Sequence, residues 1–287
     1  MSILLVRYSE IGLKGLKVRN NWENRLRDNL IHMFAADHVE ALVTRGQARL
    51  YVETADVDAV IRSAVKVFGV GSVSVCETAG TGMEEICEKV AEYSKGRMVK
   101  GKSYAVRARR EGGQKFTSME LAKACGDAIW NANLDKDPHV DLHNPDIIFW
   151  VEARPRQTYI FQDYIYGHAG LPIGTQGHVL AEVDNDRGVL SALLMMKRGC
   201  KVLVKGDYGL DLLREFDPSL KVVDDGIFQN KYLGLVKGYS LEQIEGFEQG
   251  DMPVFFPTVG MDDAEVQERL DVFRKEAERS PRRAHSA

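Results

Sequence analysis

The chain has 287 residues, 44% of them hydrophobic and 28% charged, with a formal net charge of −4 at pH 7. That balance fits a globular protein long enough for two or three domains and excludes general disorder. No window supplies the roughly 20 apolar residues of a bilayer span, and no charged-then-apolar signal pattern opens the sequence, so neither a membrane partner nor secretion is expected. The cysteines Cys76, Cys87, Cys125 and Cys200 are scattered with no C-x-x-C pair. That spacing argues against a zinc site and against a secreted disulfide framework, and predicts a reducing, cytoplasmic setting.

Ile3 to Tyr8 reads as a strand, and Val18, Trp22, Leu26, Leu30 and Met33 then recur near helical period. Short strands at 41–44 and 49–52 join through a turn around Gly46. A helix over 56–67 ends near Gly69, and 72–75 forms a fourth strand. The order β-α-β-β-α-β is that of a ferredoxin-like unit over residues 1–75, a fold that hosts many functions and decides none of them.

A second unit, residues 76–168, begins with a helix over 82–95. In the strand that follows, Tyr104, Val106 and Ala108 alternate with Arg107 and Arg109, which turns both arginines away from the core face. Thr117-Ser-Met-Glu120 has the pattern of a capping box and opens a helix with Leu121, Ala124, Cys125, Ala128 and Ile129 on one stripe. Strands at 146–153 and 158–164 are joined by the tight basic segment Arg154-Pro-Arg156.

The glycine-rich stretch 167–177 reads as a linker or loop between domains. In the third region, residues 169–279, strands at 178–183 and 201–205 flank a helix over 189–198 that stops at Gly199, making one parallel β-α-β unit. A short helix at 211–216, a capped helix from Ser240, a strand at 253–256 and a charged helix over 263–279 follow, and residues 280–287 are expected to be disordered. The expected fold class is α/β (α+β): a ferredoxin-like domain, an α/β domain, and a reduced Rossmann-like parallel α/β domain.

Charge is unevenly distributed. Residues 1–170 hold 23 Lys and Arg against 22 Asp and Glu, while residues 171–287 hold 15 against 20. From Val99 to Phe116 the chain carries Lys100, Lys102, Arg107, Arg109, Arg110 and Lys115 against the single acid Glu111, a focused positive patch suited to a polyanion.

Five segments in order, Arg7-Tyr-Ser-Glu-Ile-Gly-Leu-Lys-Gly15, Phe68-Gly-Val-Gly-Ser-Val73, Val106-Arg-Ala-Arg-Arg110, Asp141-Leu-His-Asn-Pro145 and Gly170-Leu-Pro-Ile-Gly174, resemble the 4-thiouridine synthetase (ThiI) family of tRNA sulfurtransferases. The resemblance implies that residues 76–168 form a THUMP domain, a tRNA-binding module, and that residues 169–279 correspond to the family's PP-loop nucleotide-binding domain. The family carries Ser-Gly-Gly-x-Asp-Ser between the first strand and helix of that domain, where backbone N–H groups and a helix N-terminus hold the ATP pyrophosphate. Here the stretch is Val183-Asp-Asn-Asp-Arg-Gly188, without the paired glycines, and Asp184 and Asp186 would oppose a polyphosphate. Arg187, Gly188 and Gly238 remain as vestigial candidates for nucleotide contact. The family also relays sulfur through a cysteine in a later segment, and no cysteine follows Cys200 in this chain.

These features predict a tRNA-binding protein without catalytic residues of its own, which presents tRNA to a separate sulfur-transfer or other modifying enzyme and holds no resident cofactor or metal. An active ATP-dependent tRNA sulfurtransferase with an altered loop, linked also to thiamine sulfur transfer, and a structural subunit of an RNA-modifying complex are the alternatives. Arg107, Arg109, Arg110 and Lys115 are the foremost candidates for phosphate contact. Lys14, Lys17 and Arg19, and likewise Arg154 and Arg156, either extend that surface or solvate a helix start and a hairpin turn. Tyr8, Phe116 and Tyr159 are read as core residues before base-stacking ones, and His168 and His178 receive no acid-base role.

Overall fold

The computed structural model describes residues 1–46, 48–223 and 232–279, so the expected disordered tail at 280–287 lies outside the described residues. Contacts divide the chain into two compact units. One is Met1–Leu4 with Ser74–Tyr164, and the other is Leu5–Val73 with Ile165–Ala287.

The chain opens with β1 (Ser2–Arg7), a 3-10 turn (Glu10–Leu13), α1 (Leu16–Ala36), β2 (Ala41–Gly46), β3 (Arg49–Thr54), α2 (Val57–Lys66) and β4 (Ser72–Ala79). The strand order β2-β3-β1-β4 is the ferredoxin-like one. β2 and β3 pair antiparallel, Ala41 opposite Thr54 through Gly46 opposite Arg49. The apolar stripe of α1 is buried from Leu26 through Leu30, Met33 and Phe34, whereas Val18, at its start, is exposed. α2 starts at Asp56, whose side chain accepts the Ala59 N–H at 3.0 Å, and it buries one full face including Val60 and Ala64.

The inserted unit adds α3 (Met83–Lys95), β5 (Ser103–Arg110), α4 (Ser118–Ala132), β6 (His139–Val140), β7 (Ile147–Ala153) and β8 (Thr158–Phe161). Its strand order is β4-β8-β7-β5-β6. β7 and β8 form the expected antiparallel hairpin, and β5 runs parallel to β7 from Tyr104 opposite Ile147 to Arg110 opposite Ala153. The Thr117–Glu120 capping box closes the start of α4 in both directions. Ile86 and Val90 of α3 and Leu121, Cys125 and Ile129 of α4 share one core with Tyr104, Val106, Phe149, Val151 and Ile160 from the strands. Both helices therefore cover the same face of this sheet.

Beyond β9 (Ile165–Tyr166), the chain forms β10 (His178–Glu182), α5 (Asp186–Lys197), β11 (Lys201–Lys205), α6 (Leu210–Phe216), β12 (Lys221–Val222), β13 (Leu235–Lys237), α7 (Leu241–Ile244), β14 (Val254–Phe255) and α8 (Asp263–Glu278). Five parallel strands lie in the order β12-β11-β10-β13-β14, so the winding reverses between β10 and β13. α5 supplies most of the core, with Val189, Leu190, Ala192, Leu193 and Met196 buried among Val179, Ala181, Val202, Val204 and Val236.

The glycine-rich stretch is bonded along its length rather than being a free tether. Gly69 donates to the Ala169 carbonyl at 2.8 Å, Asn29 to Ile173 at 3.2 Å, Leu171 to Lys197 at 2.9 Å and Gly174 to Gly199 at 2.9 Å. Positive φ at Gly170 (75°) and Gly174 (91°) permits these turns, and a Cβ on Gly170 would collide with the Lys197 carbonyl at 2.3 Å. The ferredoxin-like part and the parallel sheet thus share one compact unit. Within it Lys66, fully buried, sets its ammonium 3.0 Å from Asp37 and 3.0 Å from Glu215.

Candidate RNA-binding surface and nucleotide cleft

In the inserted unit, alternation along each strand separates the helix-covered core face from a second face, on which Glu152, Tyr159 and Phe161 are buried while Trp150 and the arginines of β5 retain exposure. Tyr104, Val106 and Ala108 turn toward the helices, which leaves Arg107 and Arg109 on the face that α3 and α4 do not cover. Arg107 is in register with Trp150 and, across β7, with Phe161; Arg109 is in register with Glu152 and Tyr159. Arg107 is held by a 2.6 Å hydrogen bond from its guanidinium to the Leu142 carbonyl. That carbonyl belongs to a tight turn in which the Asp141 side chain accepts the N–H groups of His143 (2.8 Å) and Asn144 (3.0 Å). These bonds hold the Asp141 carboxyl below the usual carboxylate range, the Asn144 N–H having the larger effect. The segment Asp141–Pro145 therefore acts as a rest for an arginine that the alternation has already turned outward.

Arg109, Arg110 and Lys115 are exposed, and Arg110 donates to the Gly112 carbonyl at 3.1 Å. Arg156 is exposed at the tip of the β7–β8 hairpin, but Arg154 is withdrawn: its guanidinium pairs with Glu152 at 2.9 Å and also with Glu111. The two arginines of one tight segment are thus divided, one toward solvent and one into the hairpin's own structure. Lys14 and Lys17 are exposed, with the Lys14 ammonium 5.2 Å above the Trp22 ring, while Arg19 turns back to the Gly12 carbonyl at 2.6 Å and braces the loop before α1. Tyr8 donates to Glu23, Phe116 packs against the core of the inserted unit, and Tyr159 is buried, all in keeping with core roles. Trp150, half-buried on the second face, was not marked by the sequence. An alternating strand with polar partners looks the same whether its outward aromatic is covered or displayed.

The second candidate region is the carboxyl edge of the parallel sheet at the β10/β13 switch, where open α/β sheets place their ligands. Here α5 begins at Asp186, so Asp186, Arg187 and Gly188 form its first turn rather than a free loop. Asn185 caps it, its side chain accepting the Gly188 N–H at 2.9 Å. Gly238, just after β13, lies so close that an added Cβ would stand 2.4 Å from the Gly188 nitrogen. Arg187 reaches away to the carbonyls of Thr258 and Met261, both at 2.9 Å, and to Asp263 at 2.6 Å. Asp186 is bound by Arg274, Gln267 and Tyr208. Partial burial opposes ionisation of Asp186, yet these three partners outweigh it and hold the carboxyl below its ordinary range. Its charge is compensated within the fold instead of facing a cleft.

His168 and His178 separate likewise. His168 stacks on Phe273 (ring centroids 4.6 Å apart) beside Phe68 and Phe216, with its Nε2 2.5 Å from Glu276 of α8, whereas His178 opens β10 and is exposed. Among the described residues, no cluster of three or more His, Cys, Asp or Glu is placed to hold a metal ion, and no helix is long and apolar enough to cross a membrane.

A mixed sheet that lies, in sequence, between a ferredoxin-like segment and a parallel α/β segment defines a composite α/β protein with a candidate polyanion surface. Residues 3–74 match the ThiI ferredoxin-like domain and residues 80–163 match the THUMP domain. It is 35% identical over 206 residues to a probable tRNA sulfurtransferase of Methanosarcina mazei, covering 70% of this chain and 51% of that one. The chain spans about half the length of the curated relatives it matches. A crystal structure of a Pyrococcus horikoshii protein aligns with a TM-score of 0.79 and 26% identity over 94% of this chain and 100% of that one. A 4-thiouridine synthetase solved with RNA and bound ATP shares the fold, with a TM-score of 0.76 and 20% identity over 98% of this chain and 86% of that one.

Proposed function

We propose that the chain binds tRNA through the arginine-bearing face of its THUMP domain and presents it to a separate modifying enzyme, without ATP-dependent chemistry of its own. Arg107, Arg109, Arg110 and Lys115 contact phosphates, giving salt-sensitive affinity that positions RNA without reading much sequence. The N-terminus of α5 supports the non-catalytic part of the reading: Asn185 already accepts the Gly188 N–H, and Gly238 packs close against the same turn. The relatives' name, tRNA sulfurtransferase, makes a tRNA the proposed target, and the sequence resemblance to 4-thiouridine synthetases makes it the tRNA in which uridine becomes 4-thiouridine.

Binding of labelled tRNA over a salt series, with and without ATP, tests both parts. The reading requires affinity that falls steeply with salt, no change on adding ATP, and a loss of about tenfold or more in the Arg107→Glu/Arg109→Glu variant near physiological salt. Unchanged affinity in that variant removes the proposed surface.

The relatives' shared name favours a second reading, an active tRNA sulfurtransferase working through an altered loop. ATP-dependent incorporation of sulfur into tRNA by the purified chain would establish it in place of the first.

A further inference from the structure

The second face of the THUMP sheet carries an aromatic group that phosphate binding does not use. Trp150 lies between Arg107 on β5 and Phe161 on β8, all three in one register row. Its ring is near parallel to Phe161, at 7° and 6.3 Å between centroids, and Tyr164 meets it edge-on at 5.1 Å. Phe161 is fully buried, so it backs the row, while Trp150 remains half-buried beside a guanidinium fixed by the Leu142 carbonyl. Burying Trp150 in the helix-side core is ruled out by its strand position: its neighbours Phe149 and Val151 fill that core.

We propose that Trp150 is a stacking platform for one unpaired base of a bound RNA, with Arg107 holding a phosphate of the same or the adjoining nucleotide. This rests on the RNA-binding reading above and names a residue and a substrate feature within it. Three properties fit. An indole gives a broad π-face that accepts any base, and stacking of this kind needs a backing that keeps the ring from swinging, which Phe161 and Tyr164 supply. The surrounding charge is complementary to RNA, since Arg107, Arg109 and Arg110 come from the same strand and continue toward its carboxyl end. Finally, a sheet with helices on one face and aromatics beside cations on the other can hold only a nucleotide that is splayed out, because a base inside a duplex cannot reach a flat sheet. The required RNA feature is therefore an unpaired nucleotide next to phosphates, and a fully paired stem alone would touch only the arginines.

The test compares the full chain with its Trp150→Leu and Trp150→Phe variants on two probes, a blunt RNA hairpin and the same hairpin with a single-stranded extension carrying 2-aminopurine. Stacking predicts that Trp150→Leu weakens the extended hairpin by about tenfold and leaves the blunt one unchanged, and that it abolishes 2-aminopurine quenching, which Trp150→Phe partly keeps. Equal weakening on both probes, or undiminished quenching in a Trp150→Leu variant that melts like the parent, overturns the proposal. If no RNA binds the parent chain, or if the Arg107→Glu/Arg109→Glu variant binds as well as the parent, the RNA-binding reading itself fails. An arginine dependence without a Trp150 effect sinks the platform alone.

Discussion

Asn185 accepts the Gly188 N–H at 2.9 Å and so closes the N-terminus of α5 with the protein's own side chain. A helix N-terminus that holds phosphate leaves such N–H groups for the ligand, and here one is committed in advance. Isothermal calorimetry of the chain with ATP and magnesium should give no saturable heat. Asn185→Ala should lower stability by about 1 kcal/mol through the lost cap, yet still give no ATP signal, because Gly238 still packs against the Gly188 nitrogen. Tight ATP binding by either protein would restore the nucleotide site.

Lys66 is enclosed by Asp37 and Glu215, and Ser63 adds a 2.5 Å hydrogen bond to Asp37. Removing the Lys66 ammonium takes from two buried carboxylates the cation they share. Lys66→Met should therefore destabilise the protein by about 3–5 kcal/mol, and Lys66→Met/Asp37→Asn/Glu215→Gln should recover most of that loss. Urea denaturation of the parent and the two variants reads this directly; equal stability of the single variant and the parent would show that the triad contributes nothing.

Asp146 accepts the Ser103 N–H and hydroxyl, both at 2.9 Å, and the Lys102 ammonium at 3.0 Å. The Ser103 N–H has the largest effect, followed by Lys102, and together they bring the carboxyl down from 3.8 to about 2. Because the folded value is depressed, whatever stability the ionised group contributes is complete above the unfolded value and is lost as pH falls through about 2. A carbon-detected NMR titration should find the Asp146 midpoint well below those of ordinary aspartates. Ser103→Ala should move it upward, and a midpoint near 3.8 in the parent would contradict the geometry.

Burial raises the thiols of Cys87, Cys125 and Cys200, Cys125 most strongly. None of the three is poised as a thiolate, which a persulfide relay requires. Under native conditions near neutral pH, a disulfide-exchange reagent should label Cys125 and Cys200 only on the timescale of unfolding. Labelling of Cys200 within seconds would expose a nucleophile that the fold conceals.

Much of this architecture is legible in the residues because local rules act alone there. The Thr117/Glu120 box, the stripe of Leu121, Cys125 and Ile129, and the outward alternation of Arg107 and Arg109 depend on nearest neighbours in sequence. The pairs β6, β9 and β12 are two residues each, too short to carry a period, and exist because a neighbouring strand bonds them. The same limit hid the start of α5: Asp-Asn-Asp-Arg-Gly resembles a loop until Arg274 and Asp263 of a distant helix fix Asp186 and Arg187 in a first turn. Arg154 and Arg156 are indistinguishable in sequence and are separated only by the position of Glu111 and Glu152. His168 likewise acquires its structural role from Phe273 and Glu276, far along the chain.

The ends of the inserted unit meet. Ser74 bonds the Asp163 carbonyl at 2.6 Å on one side of the division, and on the other Ser72 and Val73 pair with Tyr166 and Ile165. The entry at Ser74 and the exit at Tyr164 lie side by side, so a short reverse turn can bridge the gap left by removing what lies between. In genetic terms the THUMP segment is a cassette: one recombination event can exchange it without rethreading the sheet that receives it.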